Sequence, residues 1–133
     1  MLVVDDQADV REVAVAHLEA LGYQVAQAAS GRTALDLIGD GSGIDLLIAD
    51  YAMPGMSGVE LARAVRAKRP DLPVVIVTGY VDVSAFATEI EGADLLKKPY
   101  RVSELAATVE LALRRDDRGE TQAKVVALRG GHD

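Results

Sequence analysis

The chain has 133 residues, half of them apolar and about a quarter charged, which suits one domain with a core of ordinary size. Its net charge of -7 works against an electrostatic grip on nucleic acid or an anionic membrane, and the lack of cysteine removes disulfides, thiolate zinc sites and thiol nucleophiles. His17 and His132 are too far apart in sequence to suggest a histidine metal site, and no stretch approaches the roughly 18 apolar residues of a membrane span.

Apolar runs and helical patterns alternate along the chain. "MLVV" (Met1 to Val4) is a short strand, and Val10, Val13, Ala14, Leu18 and Leu21 then form the buried stripe of a helix that Gly22 ends. "YQVAQAA" (Tyr23 to Ala29) is a second strand. Ser30 caps a second helix reaching about Ile38, closed by "GDGSG". "IDLLIA" (Ile44 to Ala49) is the third strand, followed by a helix from about Ser57 to Lys68 that Pro70 stops. "LPVVIVT" (Leu72 to Thr78) is a fourth strand, its β-branched run predicting burial on both faces. A weaker helix spans about Val83 to Glu91, and "ADLLKK" (Ala93 to Lys98) is a short fifth strand. Val102, Leu105, Ala106, Val109, Ala112 and Leu113 stripe the last helix. Beyond Arg114 the chain turns polar, with one apolar patch at Val125 to Leu128, and reads as a tail or linker. No internal repeat is present.

Five strands alternating with five helices predict an open, mostly parallel α/β sheet with helices on both faces. Right-handed crossovers bring every strand's carboxyl end to one edge, where such sheets bind ligands. The strand assignments alone then gather Asp5 and Asp6, Asp50, Thr78 and Lys98 at that edge. Carboxylates about 5 Å apart at an effective dielectric near 20 repel by about 3 kcal/mol per pair. Such a cluster raises a pKa or binds a cation, and an all-oxygen donor set favours Mg²⁺ or a similar hard ion. Lys98 can offset phosphate charge, the Thr78 hydroxyl can donate to a phosphoryl oxygen, and a carboxylate beside Mg²⁺ can attack phosphorus. Asp50, central and followed by the "YAMPG" loop, is the best candidate nucleophile.

Four stretches occur in order over about residues 1 to 113: "LVVDDQ", "LLIADYAMPGMSGVEL", "PVVIVTG" and "KKPY". Together they resemble the receiver (phosphoacceptor) domain of two-component response regulators. The resemblance implies a doubly wound (βα)5 flavodoxin-like parallel sheet of strand order 2-1-3-4-5, with residues 1–113 as the receiver and 114–133 as a polar tail or linker. It implies that Asp50 accepts a phosphoryl group, with Asp6 binding Mg²⁺ directly, Asp5 acting mainly through water, and the main-chain carbonyl of Ala52 as a further ligand. Thr78 is the implied switch hydroxyl. Lys98 is the implied phosphoryl contact, and Lys98-Pro99 an implied cis peptide. Lys97 competes for that role but points the other way along a strand. The implied partner is a sensor histidine kinase or a histidine phosphotransfer protein, with homodimerisation left open. Many receivers carry an aromatic residue where this chain has Leu95, so Tyr80, two residues after Thr78, becomes the switch candidate. The "TGY" and "KPY" wording also resembles receivers at the C-terminal end of hybrid sensor kinases.

Plainer roles exist for each residue. Asp5 and Asp6 could cap the first helix, Asp50 could form the turn before Pro54, Thr78 could cap a loop, and Lys98 could be a solvated surface lysine. His17 reads as a partly buried structural histidine, Tyr80 as a loop packing residue, and Gly55 and Gly58 as servants of backbone geometry rather than phosphate cradles. An aspartyl-nucleophile phosphohydrolase of the haloacid dehalogenase type would carry Asp-x-Asp on the first strand and a cap insertion, and this chain shows adjacent aspartates and no such insertion. A flavin-binding relative of the same topology would need a Ser/Thr-rich loop where "DDQADV" stands. A DNA-binding regulator would need an output domain, for which these 133 residues are not expected to leave room. "MLVVDD" carries no secretory pattern, so the expected setting is cytoplasmic, without membrane insertion or nucleic acid.

Overall fold

A computed structural model of the chain describes residues 1–39, 43–79 and 93–114. The helix expected near 83–91, Tyr80 and the tail beyond 114 lie outside them. The elements are β1 (Leu2–Val4), α1 (Ala8–Ala20), β2 (Ala26–Ala28), α2 (Gly31–Ile38), β3 (Leu47–Asp50), α3 (Gly58–Lys68), β4 (Val74–Thr78) and β5 (Asp94–Lys97). A further helix, α4, covers residues 102–114. The strands form one parallel sheet in the order β2-β1-β3-β4-β5.

The period-two alternation of strand side chains divides the core. Leu2 and Val4, Leu47 and Ala49, and Val74 and Ile76 point to the face covered by α2 and α3, where they pack with Ala34, Ile38, Val59, Ala62 and Val65. Val3, Ile48, Val75 and Val77 point to the other face and meet Ala14, Val15 and Leu18 of α1 and Leu105, Val109 and Ala112 of α4. Each large aliphatic side chain buried in this way contributes roughly 1.5–3 kcal/mol. All five residues of β4 are buried, as a strand with neighbours on both sides and helices on both faces requires.

The caps follow local chemistry. Ser30 accepts from the Thr33 backbone N–H at 3.2 Å. Ser57 and Glu60 form a reciprocal capping box at the start of α3. Gly22, at φ +102°, follows the C-cap of α1 in the left-handed region.

Several expectations change, among them the third strand, which runs Leu47–Asp50 rather than Ile44 to Ala49 because its pairing with β1 begins at Leu47. The second strand is limited to Ala26–Ala28 because it is an edge strand whose neighbour β1 offers only three residues to pair with. The fourth begins at Val74, after Pro73, which has no N–H to donate. The stripe of α1 is rotated from the predicted one: Val15 is buried, while Val13 and Leu21 are 55% and 47% exposed. Val102, at the start of α4, is likewise 41% exposed. Helical spacing identifies an apolar stripe without specifying how much of it the sheet covers.

Candidate functional site

Strand register sets the site. Val4 pairs with Ala49, Asp50 with Val77, and Thr78 with Lys97. One residue beyond those pairs, Asp5 stands beside Asp50 and Lys98 follows the end of β5. The carboxyl edge therefore collects side chains from four strands, β1, β3, β4 and β5. Among the described residues, the polar side chains buried in the fold are Asp5, Asp50 and Thr78, and all three stand at this edge. Buried carboxylates are costly unless paired or bound to a cation, so their gathering in one place needs a compensating ligand or counter-charge.

Part of that compensation is present. Lys98 Nζ lies 2.7 Å from Asp50 Oδ1, with Asp50 nearly enclosed and Lys98 a third exposed. Lys97, one residue earlier, is exposed. The Lys98 N–H donates to the Thr78 carbonyl at 2.7 Å, which fixes the start of the turn, and the Lys98-Pro99 peptide is cis. Burial acts to lower the Lys98 ammonium pKa. Its hydrogen bond to Asp50 and the charges of Asp50 and Asp5 prevail and hold it above its usual value.

The carboxylates remain in excess. Oxygens of Asp5, Asp6 and Asp50 all lie within 4.8 Å of one another. Burial pushes the Asp5 carboxyl up, and the charges of Asp50 and Asp6 add to that. The Gln7 N–H, 3.0 Å from Asp5 Oδ1, and the Lys98 charge pull the other way. Burial likewise raises the Tyr100 hydroxyl beside Lys98. Three hard oxygen donors spanning a distance close to the roughly 4 Å across a Mg²⁺ coordination sphere are a fitting set for that ion.

A cleft of about 340 Å³ opens next to the cluster, lined by Asp50, Tyr51, Ala52, Thr78, Gly79 and Lys98. It has room for a tetrahedral oxyanion. The loop after β3 that forms one wall is shaped by two glycines. Gly55 sits at φ +81°, and a Cβ on Gly58 would fall 2.5 Å from the Asp50 carbonyl oxygen. Gly58 also donates its N–H to the Tyr51 carbonyl at 3.0 Å, which locks the first turn of α3 against the end of β3.

Asp50, Ala52, Thr78 and Lys98 thus line one cleft and Asp5 and Asp6 cluster with Asp50 beside it, while Tyr80 lies outside the described residues. His17 is partly buried and borders a separate groove with Val13, Pro99 and Val102. Sequence reasoning passed over Arg11, which donates to the Asp5 carbonyl at 2.7 Å. The available signal was a basic residue one turn into the helix that follows the Asp5-Asp6 pair.

Comparison with known proteins agrees with this fold. Residues 1–110 match the family model of the response regulator receiver domain. The chain is 35% identical over 131 residues to the phosphate regulon transcriptional regulatory protein PhoB of Pseudomonas aeruginosa, covering 94% of this chain and 56% of that protein. It is 37% identical over 122 residues to the sensor kinase CckA of Brucella abortus, covering 88% of this chain and 13% of the kinase. The chain thus spans only part of these longer relatives. Among solved structures, a response regulator receiver domain protein from Clostridium thermocellum superposes with a TM-score of 0.80 at 30% identity, covering 87% of this chain and 94% of that one.

Proposed function

This chain belongs to the response regulator receiver domain family, and on that premise we propose that it is a phosphoacceptor module that takes a phosphoryl group onto Asp50. The observation that carries the reading is the 2.7 Å contact of Lys98 with Asp50 inside a cluster of three carboxylates. Asp5, Asp6, Asp50 and the Ala52 carbonyl would hold Mg²⁺, and that ion when bound neutralises charge on the transferring group. An Asp50 oxygen attacks phosphorus of a phosphohistidine. The P–N bond breaks, its electron pair stays on the imidazole nitrogen, and that ring is the leaving group. Lys98, protonated and already at Asp50, turns to a phosphoryl oxygen, and the Thr78 hydroxyl donates to another. Water later attacks phosphorus, the P–O bond to Asp50 breaks, and the carboxylate and inorganic phosphate are released.

The new charge at Asp50 pulls on Thr78 and Lys98 and so biases the loops that follow β4 and β5. Tyr80 is the switch aromatic in this reading. The phosphodonor is a sensor histidine kinase or a histidine phosphotransfer protein in the cytoplasm, with residues 1–113 as the receiver and 114–133 as a tail or linker. No helix among the described residues is long and apolar enough to cross a membrane. The test is intact-mass measurement after incubation with acetyl phosphate and Mg²⁺. Wild type gains one phosphoryl group and Asp50→Asn gains none while keeping its fold. Undiminished labelling of the variant removes Asp50 from the role.

A further inference from the structure

Arg11 lies one turn into α1, behind the carboxylate pair. Its Nη1 donates to the Asp5 main-chain carbonyl at 2.7 Å, and its Nε donates to Gln27 Oε1 on β2 at 2.9 Å. A guanidinium next to a carboxylate cluster would ordinarily fork onto a carboxylate. Among the described residues, however, no carboxylate forms an ion pair with Arg11. Its donors go to a carbonyl and an amide, so the acidic oxygens stay available.

The carbonyl it holds belongs to the peptide joining Asp5 to Asp6. Restraining that peptide fixes the point from which the Asp6 side chain departs. Asp6 is exposed, with little packing to orient it, whereas Asp5 is buried and holds the Gln7 N–H. Gln27 anchors the other side of the guanidinium to β2, whose register with β1 places Gln27 opposite Val3. The clamp therefore ties the loop after β1 to both α1 and the sheet edge.

We propose that Arg11 is a positioning residue for cation binding, acting through the Asp5-Asp6 peptide, an inference that rests on the cation site described under the proposed function. A ligand set whose outer partners are removed loses affinity by about tenfold or more. The experiment is calorimetric titration of Mg²⁺ into the full chain, with thermal midpoints in EDTA measured on the same samples. Arg11→Met keeps the apolar stem but loses the donors, and is expected to weaken Mg²⁺ binding about tenfold even though removing a positive charge by itself favours the cation. Its midpoint in EDTA should change little. Gln27→Leu, which leaves the donor to the Asp5 carbonyl in place, weakens binding by a smaller factor, and Arg11→Lys, which keeps a donor there, recovers most of the loss. A lowered EDTA midpoint with unchanged Mg²⁺ affinity in Arg11→Met makes the residue merely structural and overturns the proposal. Should that variant not fold, Gln27→Leu decides the matter, and wild-type affinity in it is equally fatal. Wild type that takes up no Mg²⁺ overturns the cation site itself, a failure separable from that of Arg11 because every variant shares it.

Discussion

The two faces of the sheet are built differently. On one, α2 and α3 start from serine caps whose side chains bind the first helical turn, and Gly58 seats α3 against the end of β3. On the other, α1 starts at Gln7 with no side-chain cap, and Val13 and Val102 stand exposed. A groove of about 720 Å³ separates α1 from the β5–α4 connection there, bordered by Val10, Val13, His17, Pro99, Tyr100 and Val102. The contrast teaches that rigidity and accessibility are divided between the faces. Asp50 is braced from the α3 side, while Lys98 reaches it beside the open groove and Arg11 holds the neighbouring Asp5 carbonyl from α1.

The largest expected effect comes from the braced side. Gly58→Ala forces a Cβ onto the Asp50 carbonyl and should cost about 2 kcal/mol, the overpacking penalty less the helix-propensity gain. Because Asp50 itself is displaced, labelling by acetyl phosphate should fall about tenfold or more. Urea titration and intact mass read the two effects. Unchanged labelling in a destabilised variant would separate bracing from reactivity and dissolve the contrast.

A smaller effect, of opposite sign, belongs to Asp5. Its folded carboxyl is raised above the usual 3.8, so the folded protein holds the proton more tightly than the unfolded chain. Stability from this group is therefore present below pH 3.8 and lost as pH rises through the raised folded value. In EDTA, Asp5→Asn should have the higher thermal midpoint at neutral pH, and the two proteins should converge as pH falls toward 3.8. A gap independent of pH would mean that the ionised Asp5 is not the source of strain.

The smallest effect sharpens the comparison from the open side. Val13→Ser removes an apolar group that the sheet does not cover and should change stability by no more than about 0.5 kcal/mol. A loss of core size, about 2 kcal/mol or more, would show that Val13 is covered in solution.

Much of the fold was legible because its signals are local. Ser30 and Ser57 announce helices whose first turns they bind, and the Val74–Thr78 run announces a buried strand. The site was legible for a related reason. Each of Asp5, Asp50, Thr78 and Lys98 stands at or next to the end of a strand, so placing the strands in parallel places the residues. What failed to show depends on pairing at a distance. The length of β2 is set by β1, its single neighbour, and the exposure of Val13 by which side of α1 meets the sheet. Arg11 is anchored by Gln27, sixteen residues away, and no spacing rule links those two positions.

The sheet order has a last consequence. Residues 5, 6 and 50 become neighbours only when β1 and β3, distant in sequence, have paired, and Lys98 joins them only once β4 and β5 are added. Any ion captured there reads out the pairing of the first strand with the third. By mass action it also shifts the melting equilibrium toward the native state, more strongly the higher its free concentration stands above its dissociation constant.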